Sequence, residues 1–255
     1  MRPSWRRRGS IGRRPMALAD ILAALFPAGH AVAERDGLIL GTARIEGDRS
    51  IHVIGIADKT CPGVDEALAL AAHVLSIIDG GGDAPILVLL DSGSQRMSRR
   101  DELLGLNETL AHLAKLLRLA QVRGHRTVGL LYGGSAAGAF IATALACDVL
   151  VALPQAYPEV MDLPSIARVT KLPLDLLEEK AKTTAVFAPG LANLHATGAI
   201  AEIWDEGPTL AGRLAALLAG AATDDRRALW GKERGGRPKA ADIAREVQRL
   251  AETHG

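Results

Sequence analysis

The stretch that most constrains this chain is Thr127–Val128–Gly129–Leu130–Leu131, which runs directly into Tyr132–Gly133–Gly134–Ser135–Ala136–Ala137–Gly138–Ala139–Phe140. An unbroken apolar run with no alternation fits a strand covered on both faces, as in a parallel sheet. Small residues then allow another backbone or a ligand to approach closely, and an Ala-rich helical run continues to Asp148. A strand, a glycine turn and a helix in that order point to an α/β fold. The turn also leaves amide N–H groups at the mouth of a helix, where the dipole favours negative charge. Such a turn holds an oxyanion through its main chain alone, so one reading is chemistry on a carbonyl that becomes an enolate or tetrahedral anion. The other is tight strand–helix packing with no ligand.

The pattern elsewhere agrees with α/β. Residues 17–26 read as a short amphipathic helix, 32–40 and 42–45 as strands with a turn near Asp36–Gly37, and 50–57 as a β-branched strand. Residues 65–79 form a helix stopped by Gly80–Gly81–Gly82, and 86–90 a second doubly buried strand. Asp91 to Asp101 is a polar loop. Residues 102–122 are expected as one helix with Leu103, Leu106, Leu110, Leu113, Leu117 and Ala120 on a stripe. A strand at 149–153, a proline-punctuated loop at 154–161, helices at 163–169 and 174–181, a helix at 191–198 and a strand at 199–204 follow. Two helices, 209–220 and 238–253, flank an Arg/Gly-rich hinge. Ligands in such sheets sit beyond the carboxyl ends of the strands, so loops 91–101 and 132–138 are expected to face one cleft. Three segments are expected: a basic extension at 1–15, a folded domain at 16–220 and a helical extension at 221–255.

Charge narrows the class. The formal net charge is +1, but Arg2, Arg6, Arg7, Arg8, Arg13 and Arg14 stand in a start that holds no acid, and without these six it becomes −5. The mildly acidic remainder and 3% aromatic content disfavour a nucleic-acid-binding function. The Arg-rich start reads as an extension before Met16, or as a targeting arm. No apolar run reaches the roughly 18 residues of a membrane span, and Cys61 and Cys147 form no disulfide or metal pattern, so a cytoplasmic location is expected. The seven histidines show no paired metal spacing, and no G-x-S-x-G, P-loop or dinucleotide fingerprint is present. No metal site is expected.

Gly133–Gly134–Ser135–Ala136–Ala137–Gly138–Ala139 resembles the glycine turn of acyl-CoA carboxyltransferase α subunits, in the crotonase superfamily. Cys147–Asp148, Pro158–Glu159–Val160–Met161 and Thr197–Gly198–Ala199–Ile200–Ala201–Glu202–Ile203 follow in the family's order. With Asp91–Ser92–Gly93–Ser94–Gln95–Arg96 leading into the next helix, the chain is most similar to the γ subunit of biotin-independent malonate decarboxylase, over residues 16–218. The resemblance implies a crotonase-like (ClpP/crotonase) spiral of ββα units with C-terminal helices. It implies a heterodimer with a crotonase-like β subunit, acting on malonyl carried as a thioester on the phosphopantetheine-type arm of an acyl carrier protein. Carbon dioxide leaves, a proton takes its place, and an acetyl thioester remains, with no cofactor bound by this chain. The main-chain groups of Gly138 and Ala139, with Gly134 and Ala137 beside them, would hold the enolate oxygen. Ser92, Ser94, Gln95, Arg96, Tyr132 and Ser135 are candidate substrate contacts, each with a plainer alternative: capping, solvation or packing. Alternatives at the level of function are the biotin-side subunit of a carboxyltransferase and a non-catalytic partner chain.

Overall fold

The computed structural model describes residues 16–45, 49–185, 188–205, 209–220 and 225–254. The basic extension expected at 1–15 lies outside them. Helix α1 (Leu18–Leu25) precedes β1 (His30–Arg35), β2 (Leu38–Ile45) and β3 (Arg49–Thr60), an antiparallel meander. Helix α2 (Val64–Gly80), β4 (Ile86–Ser92), α3 (Arg99–Leu103), α4 (Leu106–Val122) and β5 (Thr127–Leu131) come next. Then follow β6 (Gly134–Ala136), α5 (Ala137–Ala142), β7 (Val149–Ala152), β8 (Tyr157–Glu159), α6 (Leu163–Thr170), α7 (Leu174–Thr183), α8 (Leu191–Ala196) and β9 (Glu202–Ile203). Helices α9 (Leu210–Ala219), α10 (Arg227–Glu233) and α11 (Ala240–His254) close the described chain.

The seven-stranded sheet has the order β1-β2-β3-β4-β5-β7-β9 and is parallel from β3 onward. Successive residues of each strand point to opposite faces, so the sheet divides its core in two. Ile54, Ile56, Val88, Leu90 and Leu131 pack under α2, α4 and Phe140 of α5. Ile51, Val53, Leu87, Leu89, Val128, Leu130 and Val151 pack under α1, α9 and Trp204. Both faces are covered, which is why 86–90 and 128–131 carry no polar side chain. Outside this sheet, β6 and β8 form a separate parallel pair.

Three local expectations are corrected. The single helix at 102–122 is broken, because Gly105 adopts φ +77° before α4; Leu103, placed on the buried stripe, lies 76% exposed on α3. The glycine turn and the loop at 154–161 each contain a strand, since β6 and β8 satisfy one another's main-chain groups. The Arg/Gly-rich hinge contains α10, anchored where Arg234 donates to the carbonyls of His195, Ile200 and Ala201 at 2.8–2.9 Å. Among the described residues no helix is long and apolar enough to cross a membrane.

Candidate functional site

The site is built where β4 and β5 end side by side. Past β5 the chain stays close to its neighbour, with the N–H groups of Tyr132 and Gly133 both donating to Leu90 O. A Cβ on Gly133 would lie 2.2 Å from Asp91 Oδ1, so only glycine lets that carboxylate reach the Gly134 N–H, 2.8 Å away. The Ala136 N–H donates to Gly93 O at 3.3 Å, which ties the loop after β4 to β6. Ala137 then takes φ +50°, a left-handed conformation unusual for a residue with a side chain. That twist starts α5, whose first amides lack partners within the helix.

Loops 91–98 and 132–138 converge as expected. The Ser92 and Ser135 hydroxyls, both buried, are 2.9 Å apart and bonded to each other. The Gly138 N–H donates to Gln95 Oε1 at 2.8 Å. A side-chain amide oxygen thus partners one of the first amides of α5. Ser94 Oγ donates to Gln95 O and shapes the same loop. Met97, next to the Gln95 amide, and Ile141 on α5 are exposed apolar side chains.

Two of the expected contacts lie elsewhere. Arg96, expected as a substrate contact, forms an ion pair with Glu66, which also accepts from the Gly63 N–H at the start of α2. The pair pulls Glu66 down and Arg96 up. Its role here is to join the 91–98 loop to α2. Tyr132 is buried on the sheet face away from α5, in the cluster with α1 and α9. Its hydroxyl has no hydrogen-bond partner among the described residues and, with burial the main cause and Asp91 next, ionises less readily than an ordinary phenol. It lines a cavity of about 370 Å³ with Met16, Asp58, Lys59, Asp91, Gly133 and Tyr157. Burial also pushes Asp91 up, against the pull of the Gly134 N–H. A second cavity, of about 750 Å³, lies between Val160, Ile166, Leu194 and Ala244. Neither of these two cavities is lined by residues 134–139. Among the described residues no group of three or more His, Cys, Asp or Glu side chains is arranged to hold a metal ion.

Glu159 stands in the sequence within the Pro158–Glu159–Val160–Met161 motif of the proline-punctuated loop. It instead ends β8, in register with Ala136 immediately before α5. Its neighbourhood comes from pairing distant segments, a signal no local pattern carries.

A model of the malonate decarboxylase gamma subunit family matches residues 57–251. The malonyl-S-ACP:biotin-protein carboxyltransferase MADD of Malonomonas rubra is 28% identical over 190 residues, 67% of this chain. The matched stretch spans 65% of that relative's length. A Pseudomonas malonate decarboxylase hetero-tetramer in complex with coenzyme A has TM-score 0.72 and 21% identity, covering 92% of this chain and 98% of that one. The Pseudomonas MdcD-MdcE hetero-dimer has TM-score 0.69 and 22% identity, covering 91% and 98%. Transcarboxylase 12S has TM-score 0.64 and 16% identity, covering 81% of this chain and 41% of that one. These structural likenesses show the fold, the crotonase type expected from the sequence.

Proposed function

The chain belongs to the malonate decarboxylase gamma-subunit family, and from that premise we propose that it works with a crotonase-like β subunit to decarboxylate malonyl held as a thioester on an acyl carrier protein. The family match carries this reading, because it spans β4, β5, both converging loops and α5. The geometry supplies the chemistry. Loss of carbon dioxide throws an electron pair onto the thioester oxygen, and main-chain donors fixed in advance stabilise that charge without reorganising. The Gly138 N–H, already bonded to a carbonyl-type oxygen at 2.8 Å, supports this role; Ala139, with Ala137 beside it, completes the proposed hole, whereas Gly134, expected as a further neighbour, spends its N–H on Asp91. Gln95 holds the place of the substrate oxygen, and Ser92, Ser94 and Ser135 shape the wall behind it. Arg96 and Tyr132, engaged or buried elsewhere, have no part in it.

The exposed apolar side chains of Met97 and Ile141 support a β subunit docking on this side, which would exclude water and strengthen the electrostatics inside. A cytoplasmic setting is part of the same proposal. The 28% identity to a protein named as a biotin-protein carboxyltransferase favours one second reading, a biotin-side subunit. Co-expression with a β subunit separates the two. Decarboxylation of a malonyl thioester without biotin supports the first reading, and dependence on a biotinylated carrier supports the second. Gly138→Pro removes an amide donor, and in an intact complex turnover is expected to fall by about 10²–10³. Unchanged turnover would leave this chain a structural partner only.

A further inference from the structure

We propose that the Glu159 carboxyl delivers the proton that replaces the departing carboxylate, an inference that rests on the decarboxylase reading. The reaction needs a proton at carbon, close to the enolate oxygen and therefore close to the start of α5. The acidic and basic groups Asp58, Lys59, Asp91, Tyr132 and Tyr157 gather instead around Gly133, at the 370 Å³ cavity. Asp91 is held there by the Gly134 N–H. Gly134 and Ala136 are two residues apart on β6, about 7 Å along a strand, and only at Ala136 does the ladder reach the helix.

Glu159 is the residue in register with Ala136. At the last two pairs of the ladder the burial agrees: Ser135 and Pro158 are buried, whereas Ala136 and Glu159 are half-buried. Paired residues of a parallel ladder project to the same face, so the carboxyl and the last residue before α5 share one side. Among the described residues Glu159 has neither a hydrogen-bond nor an ion-pair partner. Burial raises the pKa of this carboxyl above the ordinary glutamate range, and Asp162 adds to the rise. The neighbouring β6 and α5 bring no charged residue, and His195 of α8 has Arg234 as its charged neighbour.

The steps balance. The bond between the α-carbon and the carboxylate breaks, its electron pair enters the thioester to form the enolate, and carbon dioxide leaves. The enolate pair then takes the Glu159 proton, forming the new C–H bond, and water reprotonates the carboxylate.

The test uses the complex with its β subunit and a malonyl thioester of one configuration carrying a single tritium, turned over in D₂O, so that the acetyl methyl group is chiral. The wild-type complex is expected to give one configuration. Glu159→Gln is expected to lower kcat by about 10²–10⁴ and to give a racemic methyl group, because water protonates the enolate from either face. Glu159→Asp, which keeps the acid, is expected to retain the configuration at a reduced rate. A Glu159→Gln complex that is fast, or slow but still stereospecific, overturns the proposal, as does a racemic product from the wild type. A wild-type complex that releases no carbon dioxide strikes the decarboxylase reading instead.

Discussion

Replacing Gln95 by alanine should make the enzyme better at capturing substrate. The side-chain amide oxygen lies 2.8 Å from the Gly138 N–H, the donor assigned to the thioester oxygen, so a substrate must displace it. A neutral hydrogen bond of this kind contributes about 0.5–1.5 kcal/mol net. Each 1.36 kcal/mol is a factor of ten, so removing the competitor should raise kcat/KM roughly two- to twelve-fold, with the gain in KM. The backbone donor stays in place, and the loop keeps its other ties, from Ala136 N–H to Gly93 O and from Arg96 to Glu66. Steady-state kinetics of the β-subunit complex on a malonyl thioester give the answer, with Gln95→Glu as the contrasting variant. An anionic oxygen bonds the amide more strongly, so that variant should raise KM. A Gln95→Ala complex with KM unchanged or raised would refute the idea that the side chain competes for the amide.

Gly133→Ala puts a methyl group 2.2 Å from Asp91 Oδ1; losing the charge-assisted bond to Gly134 and overpacking the turn should cost about 3–5 kcal/mol, seen as a fall in Tm of roughly 10 °C, and much of the loss should vanish in an Asp91→Gly background. Arg234→Met strands three main-chain carbonyls and should destabilise by about 3 kcal/mol or more, with Arg234→Lys recovering only part because an ammonium cannot reproduce the planar fork; denaturant titration distinguishes them. Burial lowers the pKa of both His52 and His73, with His125 also acting on His52. The unfolded chain therefore binds these protons at higher pH than the folded one, and stability should fall as pH drops through the ordinary histidine range. His52→Gln should flatten that dependence in thermal melts between pH 7.5 and 5.5.

The sequence reveals most where one physical effect dominates. Residues 86–90 and 128–131 are apolar throughout because helices cover both faces of the sheet, and that requirement shows in the residues themselves. The convergence of loops 91–98 and 132–138 follows from the same parallel order. Short-range rules fail where long-range pairing decides. The apolar spacing runs through Leu103 and Leu106, yet Gly105 breaks the helix between them with φ +77°. Strands β6 and β8 are three residues each and carry glycine and proline; only their pairing makes them strands, so the position of Glu159 opposite Ala136 was hidden. Arg96 reads as a ligand grip because its partner, Glu66, belongs to an earlier helix.

The sheet face lined by Ile51, Val53, Leu87, Leu89, Val128 and Leu130 is sealed by α1 and α9, helices from opposite ends of the sequence. During synthesis, α1 is available from the outset, but the other half of that lid does not exist until Leu214 has left the ribosome. A nascent chain that ends between Ile203 and Leu214 carries a bare oily patch on an otherwise finished sheet. Truncation before that point should therefore yield an aggregating fragment or a chaperone client rather than a smaller working subunit.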